Sequence, residues 1–217
     1  MYNDMTNTNK DYITRLYQNI NQLPIIQEME DYATEHSVPI MEVDGIELLK
    51  QLIRIHNPDH VLEIGTAIGY SAIQMALTQP NLKVTSIEID EKRHQLALHN
   101  VHKANMFEQI HLVLEDASLF LDKIEINDYD FVFIDAAKGQ YKNYVEKITP
   151  YLKSGSIIVI DNVLFKGYVS KEVHDDRKRL MKLGEKIDRF NRWLMDHPQY
   201  DTSFVETGDG VAIAVKR

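Results

Sequence analysis

Short apolar runs alternate with helical stretches between residues 58 and 160, whereas the chain before them reads as helix and the chain after them closes in a hairpin. The strand candidates are His60 to Ile64, Lys83 to Ile89, Ile110 to Leu114, Tyr129 to Ile134 and Ser156 to Ile160. Phe131 to Ile134 and Ile157 to Ile160 are continuously apolar, as expected of parallel strands buried on both faces. Helical stretches fall at Ser71 to Leu77, Glu91 to Ala104 and Tyr141 to Leu152. Strand and helix in alternation imply βαβ units, right-handed crossovers and a mainly parallel sheet. Ahead of them lie helices over Lys10 to Asn21, Pro24 to His36 and Asp44 to His56, with Pro24 suited to a first turn and Asn57-Pro58 following the last. Gly208-Asp209-Gly210 is a turn signal that makes Asp201 to Glu206 and Val211 to Val215 a hairpin.

At 217 residues and 44% apolar content the chain can bury one sizeable core. The expected organisation is a single domain over residues 1–217, with a helical extension at 1–57 and an α/β core at 58–217. With no cysteine, disulfides and thiolate metal sites are excluded. No apolar run approaches the roughly 20 residues of a membrane span, and MYNDMTNTNKDY lacks the apolar stretch of a secretory signal. A cytoplasmic protein with no membrane partner is the expectation. The net charge of −9 argues against a protein that coats nucleic acid indiscriminately. Between Lys166 and Arg192, however, nine Lys or Arg face five Asp or Glu, which makes this segment the candidate polyanion face.

Two constellations carry chemistry. In the first, VLEIGTAIGYS places Gly65 at a strand-to-helix turn, where a ligand can approach the backbone and the next helix offers free N–H groups. The dinucleotide pattern G-x-G-x-x-G is absent. Glu88 closes the next strand where a carboxylate can accept both hydroxyls of a ribose. With Glu63 at the preceding strand end, the set reads as a nucleoside site. Asp116 either meets an adenine amino group or caps the following helix. The second constellation is Asp135, Lys138, Asp161 and Asn162. Two carboxylates and an amide oxygen form a hard oxygen set suited to Mg²⁺. Lys138, three residues after Asp135, is a candidate base whose amine is perturbed by a neighbouring cation.

In VLEIGTAIGYS, SIEID, DAAK, DNVLFKG and GDGVAIAVKR, in order and spacing, the chain resembles the cation-dependent O-methyltransferases of the catechol and caffeoyl-CoA type over essentially its whole length. Within them it is most similar to the bacterial tRNA 5-hydroxyuridine O-methyltransferases. The resemblance implies a Rossmann-like class I methyltransferase fold, with a seven-stranded, mostly parallel sheet, a C-terminal antiparallel hairpin and N-terminal helices. It implies S-adenosylmethionine as cofactor, with Glu63, Gly65 and Ser71 at its methionine part, Glu88 at ribose, and Asp116 and Ala117 near adenine. Asp135, Asp161 and Asn162 would hold Mg²⁺ or another divalent cation, Asp135 would also border the cofactor, and Lys138 would act as base. Val38 to Val43, Val43 in particular, would lie over the cofactor. Two positions depart from the catechol enzyme: Ala136-Ala137 stands for a His-Trp pair, and Ala67 for a tyrosine. A homodimer is implied as well.

The acceptor expected from this reading is 5-hydroxyuridine in the tRNA anticodon loop, converted to 5-methoxyuridine, with a catechol or caffeoyl-CoA-like phenol as the alternative. Both present two adjacent oxygens. A non-catalytic cofactor-binding protein is the third possibility, against which the intact Asp135, Lys138, Asp161 and Asn162 speak. Lys178, Lys182, Lys186 and Arg189 follow helical spacing on one face, with Leu180, Leu183, Ile187, Phe190 and Leu194 on the other. The basic stripe is either a tRNA phosphate contact, extended by Arg177 and Arg179, or a solvated face. Tyr168, Phe165 and Trp193 are either stacking partners for a splayed base or buried side chains.

Overall fold

The computed structural model describes residues 3–17, 23–125, 128–170 and 177–217. Three helices lead, α1 (Asn3–Tyr17), α2 (Pro24–His36) and α3 (Val43–His56), and residues 18–21 of the first expected helix lie outside the described residues. The α/β core follows as β1 (His60–Ile64), α4 (Tyr70–Ala76), β2 (Lys83–Glu88), α5 (Glu91–Lys103), β3 (Ile110–Leu114), α6 (Ala117–Leu121), β4 (Phe131–Ile134), α7 (Tyr141–Ile148) and β5 (Ile157–Ile160). Helix α8 (Lys178–Met195) precedes the hairpin β6 (Tyr200–Val205) and β7 (Val211–Lys216).

Local chemistry explains several boundaries. The Asp90 carboxylate accepts from Arg93 N at 2.9 Å and starts α5, while Asn57, in the left-handed region, ends α3 ahead of Pro58. The helix expected over Tyr141 to Leu152 stops at Ile148 and tightens into a 3₁₀ turn at 149–151, where Pro150 has no N–H with which to continue the α-helical ladder.

The seven strands run in the order β3-β2-β1-β4-β5-β7-β6, with β1 to β5 mutually parallel and β7 antiparallel to β5. Alternate residues of each central strand feed separate cores. Val61, Phe131 and Phe133 pack with α2, α3 and α4 on one face, and Leu62, Val132 and Ile134 with α7 and α8 on the other. Each such fully buried side chain contributes about 1.5–3 kcal/mol. On α8 the expected apolar stripe faces this second core: Ile187, Phe190 and Leu194 are buried, and Leu180 and Leu183 partly so.

Strand order reverses between β1 and β4, and the carboxyl ends of the strands on either side of that point frame a cleft, the usual ligand site of an open α/β sheet.

Candidate active site

A cleft of about 560 Å³ opens at this switch point. Its walls contain Gly65 after β1, Glu88 at the end of β2, Asp116 and Ala117 after β3, Asp135 and Lys138 after β4, and Asp161 and Asn162 after β5. The two constellations inferred from sequence therefore share one cavity.

On the β1 and β2 side, Gly65 has φ +103°, and a Cβ there would lie 2.0 Å from the Asp135 carbonyl oxygen. Glycine is required both by the dihedral and by the contact. Glu88 is buried and fixed in orientation: Oε2 accepts from Ala67 N at 2.8 Å, and Oε1 from Ile89 N and Asp90 N at 3.0 and 2.9 Å. A carboxylate offers about four lone-pair directions, so with three taken one remains, on Oε2, for a hydroxyl. The Asp116 carboxylate accepts from Ser118 N and Leu119 N, so the capping alternative holds, with the residue still in the cavity wall.

Three expected cofactor residues, Val43, Glu63 and Ser71, lie outside that wall. Val43 opens α3, while Pro39 to Glu42 of the preceding segment line the cleft. Glu63 is fully buried, its two oxygens accepting from the hydroxyls of Ser71 and Ser86, and Ser86 is joined in turn to the Thr66 hydroxyl at 2.6 Å. Burial pushes the Glu63 carboxyl up to about 8 from 4.5, with Asp135 and Glu88 adding to the rise and the two serines opposing it. An acid whose folded-state pKa is raised adds stability in its protonated form. That stability is complete below 4.5 and is lost as pH climbs through about 8. Glu63→Gln, neutral at every pH, is therefore expected to melt close to the parent at pH 5 and above it at pH 9; parallel melting curves at both pH values would contradict the assignment.

On the β4 and β5 side, Asn162 Nδ2 donates to Asp161 Oδ2 at 2.8 Å and to Asp135 Oδ1 at 3.2 Å, so two carboxylates and a carboxamide converge on one point. Both carboxyl groups are raised, Asp161 to about 7, by burial first; Asp135 raises Asp161 further, Asp209 raises both, and Lys138 opposes the shift. Two buried acids left without full compensation form the donor set of a hard divalent cation, and these residues fit one. Among the described residues no cluster of three or more His, Cys, Asp or Glu could hold a metal, so the amide would have to complete this set. Lys138 opens a single 3₁₀ turn, its Nζ 5.6 Å from the centroid of Phe165. Burial lowers its pKa, while Asp135, Asp209 and Asp161 hold it up. A lowered ammonium pKa is what a lysine base needs near neutral pH.

Asp209, which in the sequence is only the centre of a turn signal, lines the same cleft. Its Oδ1 accepts from Lys166 N, and its carbonyl accepts from Leu164 N at 2.9 Å. An acid between two glycines, at the mouth of a hairpin paired to β5, was the available signal. The aromatic candidates divide: Tyr168 is buried, its hydroxyl accepting from Arg177, whereas Phe165 and Trp193 are half-buried.

Residues 18–217 match the family model described as O-methyltransferase. A caffeoyl-CoA O-methyltransferase of Populus kitakamiensis is 33% identical over 183 residues, covering 82% of this chain and 77% of that protein. A crystal structure of a Staphylococcus aureus protein superposes with a TM-score of 0.89 at 36% identity, covering 97% of this chain and 100% of that one. The O-methyltransferase from Bacillus cereus, solved in complex with SAH, has a TM-score of 0.80 at 25% identity, with 97% of each chain covered.

Proposed function

Because the chain belongs to the O-methyltransferase family and is an S-adenosylmethionine-dependent enzyme, we propose that it methylates a small phenol carrying two adjacent oxygens, of the catechol or caffeoyl-CoA class, with a divalent cation at Asp135, Asp161 and Asn162. The observation that carries this reading is the convergence of those three side chains beside Lys138, in the cleft that also holds Gly65 and Glu88. It is supported by the caffeoyl-CoA enzymes among the relatives.

When bound, S-adenosylmethionine supplies the sulfonium methyl and the cation favours ionisation of an acceptor hydroxyl beside it. The remaining Oε2 lone pair of Glu88 would receive a ribose hydroxyl, and the bare Cα of Gly65 would let the donor lie against the backbone. Lys138 accepts the hydroxyl proton on Nζ, or stabilises the developing oxyanion by its charge. The remaining acceleration is positional, since both partners are held by strand ends of one rigid sheet.

A second reading, methylation of 5-hydroxyuridine in tRNA, is supported by α8. Lys178, Arg179, Lys182 and Lys186 line a second surface cleft with Leu183, and all four are exposed. The 5-hydroxyl and 4-carbonyl of that base present the same pair of oxygens as a catechol. The six residues 171–176 of the basic segment lie outside the described residues. A homodimer belongs to the same proposal, supported by the exposed Tyr12, Ile13 and Leu16 of α1. Among the described residues no helix is long and apolar enough to cross a membrane.

Labelled-methyl transfer from S-adenosylmethionine with Mg²⁺ distinguishes the acceptors. Catechols and caffeoyl thioesters are expected to be labelled, and charge reversal at Lys178, Lys182 and Lys186 is expected to leave that labelling within about twofold, as surface charges remote from a site are weakly felt in salt. Labelling confined to 5-hydroxyuridine tRNA, and lost on charge reversal, would replace the phenol by the tRNA reading.

A further inference from the structure

Asp161 and Asn162 sit in a segment whose backbone is held away from its relaxed form. Asn162 has φ +63°, and Phe165 and Lys166, three and four residues on, have φ +49° and +51°. Left-handed backbone at residues other than glycine costs about 1–3 kcal/mol each and persists only where its surroundings over-determine it. What determines it in this segment is visible in the hydrogen bonds.

The carbonyls on either side of Asn162 are each taken by a side chain. The Tyr141 hydroxyl, on α7, donates to the Asp161 carbonyl at 3.0 Å. Asn191 Nδ2, on α8, donates to the Val163 carbonyl at 2.8 Å. Val163 is fully buried, and its N–H donates to the Gly210 carbonyl at 3.0 Å, so both its backbone polar groups are satisfied away from water. Asn191 Oδ1 is buried and has no hydrogen-bond partner among the described residues. Tyr141 is fully buried and packs edge-on against Phe190, the neighbour of Asn191, with ring centroids 5.4 Å apart.

We propose that Tyr141 and Asn191 form a two-point clamp that positions the Asp161-Asn162 dipeptide for the divalent cation, an inference that rests on the cation reading above. Neither side chain touches the cation position. Each acts through one peptide carbonyl: Tyr141 fixes the Asp161–Asn162 plane and Asn191 the Val163–Leu164 plane, and with the Val163 N–H bonded to the Gly210 carbonyl between them they hold the backbone from which the Asn162 carboxamide reaches Asp135 and Asp161. Without Asn191 the Val163 carbonyl has no side-chain donor, and the plane that carries it is free to turn. Asn191 is thereby a positioning residue for a site on another element, and α8 is part of the metal-binding apparatus as well as the carrier of the basic face.

The test is a titration of Mn²⁺ into the full-length protein loaded with S-adenosylmethionine, with free Mn²⁺ read by electron paramagnetic resonance, for the parent, Asn191→Leu and Tyr141→Phe. Leucine matches the shape of asparagine without its donor, and phenylalanine removes one oxygen from tyrosine. Loss of a group that orients a ligand typically weakens metal affinity by about 10–100-fold. Each variant is expected to show that rise in the Mn²⁺ dissociation constant, while its S-adenosylmethionine affinity, read by calorimetry before Mn²⁺ is added, stays within about threefold, because neither side chain bonds to Gly65, Glu88, Asp116 or Ala117, the residues assigned to the cofactor. A purely structural role would lower the melting temperature and cofactor affinity with Mn²⁺ affinity unchanged, and that pattern overturns the clamp. Should Asn191→Leu fail to fold, Tyr141→Phe decides alone. A parent protein that binds no Mn²⁺ overturns the clamp and the cation reading together, whereas tight binding by the parent and both variants overturns only the clamp.

Discussion

Asp135→Asn is expected to lower turnover by about a thousandfold, on the scale of removing a principal electrostatic stabiliser from a buried site. Asp135 sits at the junction of the two halves of the cleft. Its N–H donates to the Ile64 carbonyl, pinning it to β1. Its side chain accepts from Asn162, and its carboxylate holds up the pKa of Lys138. The asparagine variant keeps the volume and removes the charge, so the fold has no steric reason to fail. The effect is expected in turnover, together with a steep rise in the Mg²⁺ concentration required. Steady-state kinetics across a Mg²⁺ series would check it, and a variant with near-parental turnover at low Mg²⁺ would remove Asp135 from the mechanism.

Gly65→Ala is the second large effect, and it reaches stability as well as binding. The added methyl would meet the Asp135 carbonyl oxygen at 2.0 Å, and at φ +103° the backbone itself disfavours a side chain. Neither neighbour can yield cheaply, because Gly65 N donates to the Ile87 carbonyl and Asp135 N to the Ile64 carbonyl, both part of the sheet. Backbone strain and overpacking together cost about 3 kcal/mol, which in a domain of this size lowers the melting temperature by roughly 6–12 °C. S-adenosylmethionine affinity should fall as well, since the methyl fills the place where the donor approaches the backbone. Thermal melts and calorimetry on the same preparation would measure both. A variant that melts with the parent and binds the donor equally would show that the turn has room for a side chain after all.

The parallel strands β4 and β5 were legible because each is a short run apolar on both faces, a pattern that burial between two helical layers demands. The two cleft acids were legible for a related reason: Asp135 and Asp161 directly follow such runs, so their place at the carboxyl edge follows from the strand itself. What the sequence could not show is depth. Glu63 lies one residue from the end of β1, yet its side chain is enclosed by hydroxyls from α4 and β2. Asp209 was hidden because turn chemistry explains an acid between glycines without any function, and only the antiparallel docking of β7 on β5 brings it to the cleft. Nor could spacing reveal Asn191. Its polar side chain falls next to the apolar stripe of α8 and finds its use in a carbonyl 28 positions away.

The proposed function has one requirement, a divalent cation in the carboxylate pair while the methyl is transferred. Labelled-methyl transfer to a catechol, run after exhaustive chelation and again after Mg²⁺ is restored in stoichiometric excess, tests it directly. The expected result is no transfer under chelation and full recovery with Mg²⁺; transfer that continues at the same rate in chelator would contradict a cation-holding role for Asp135, Asp161 and Asn162.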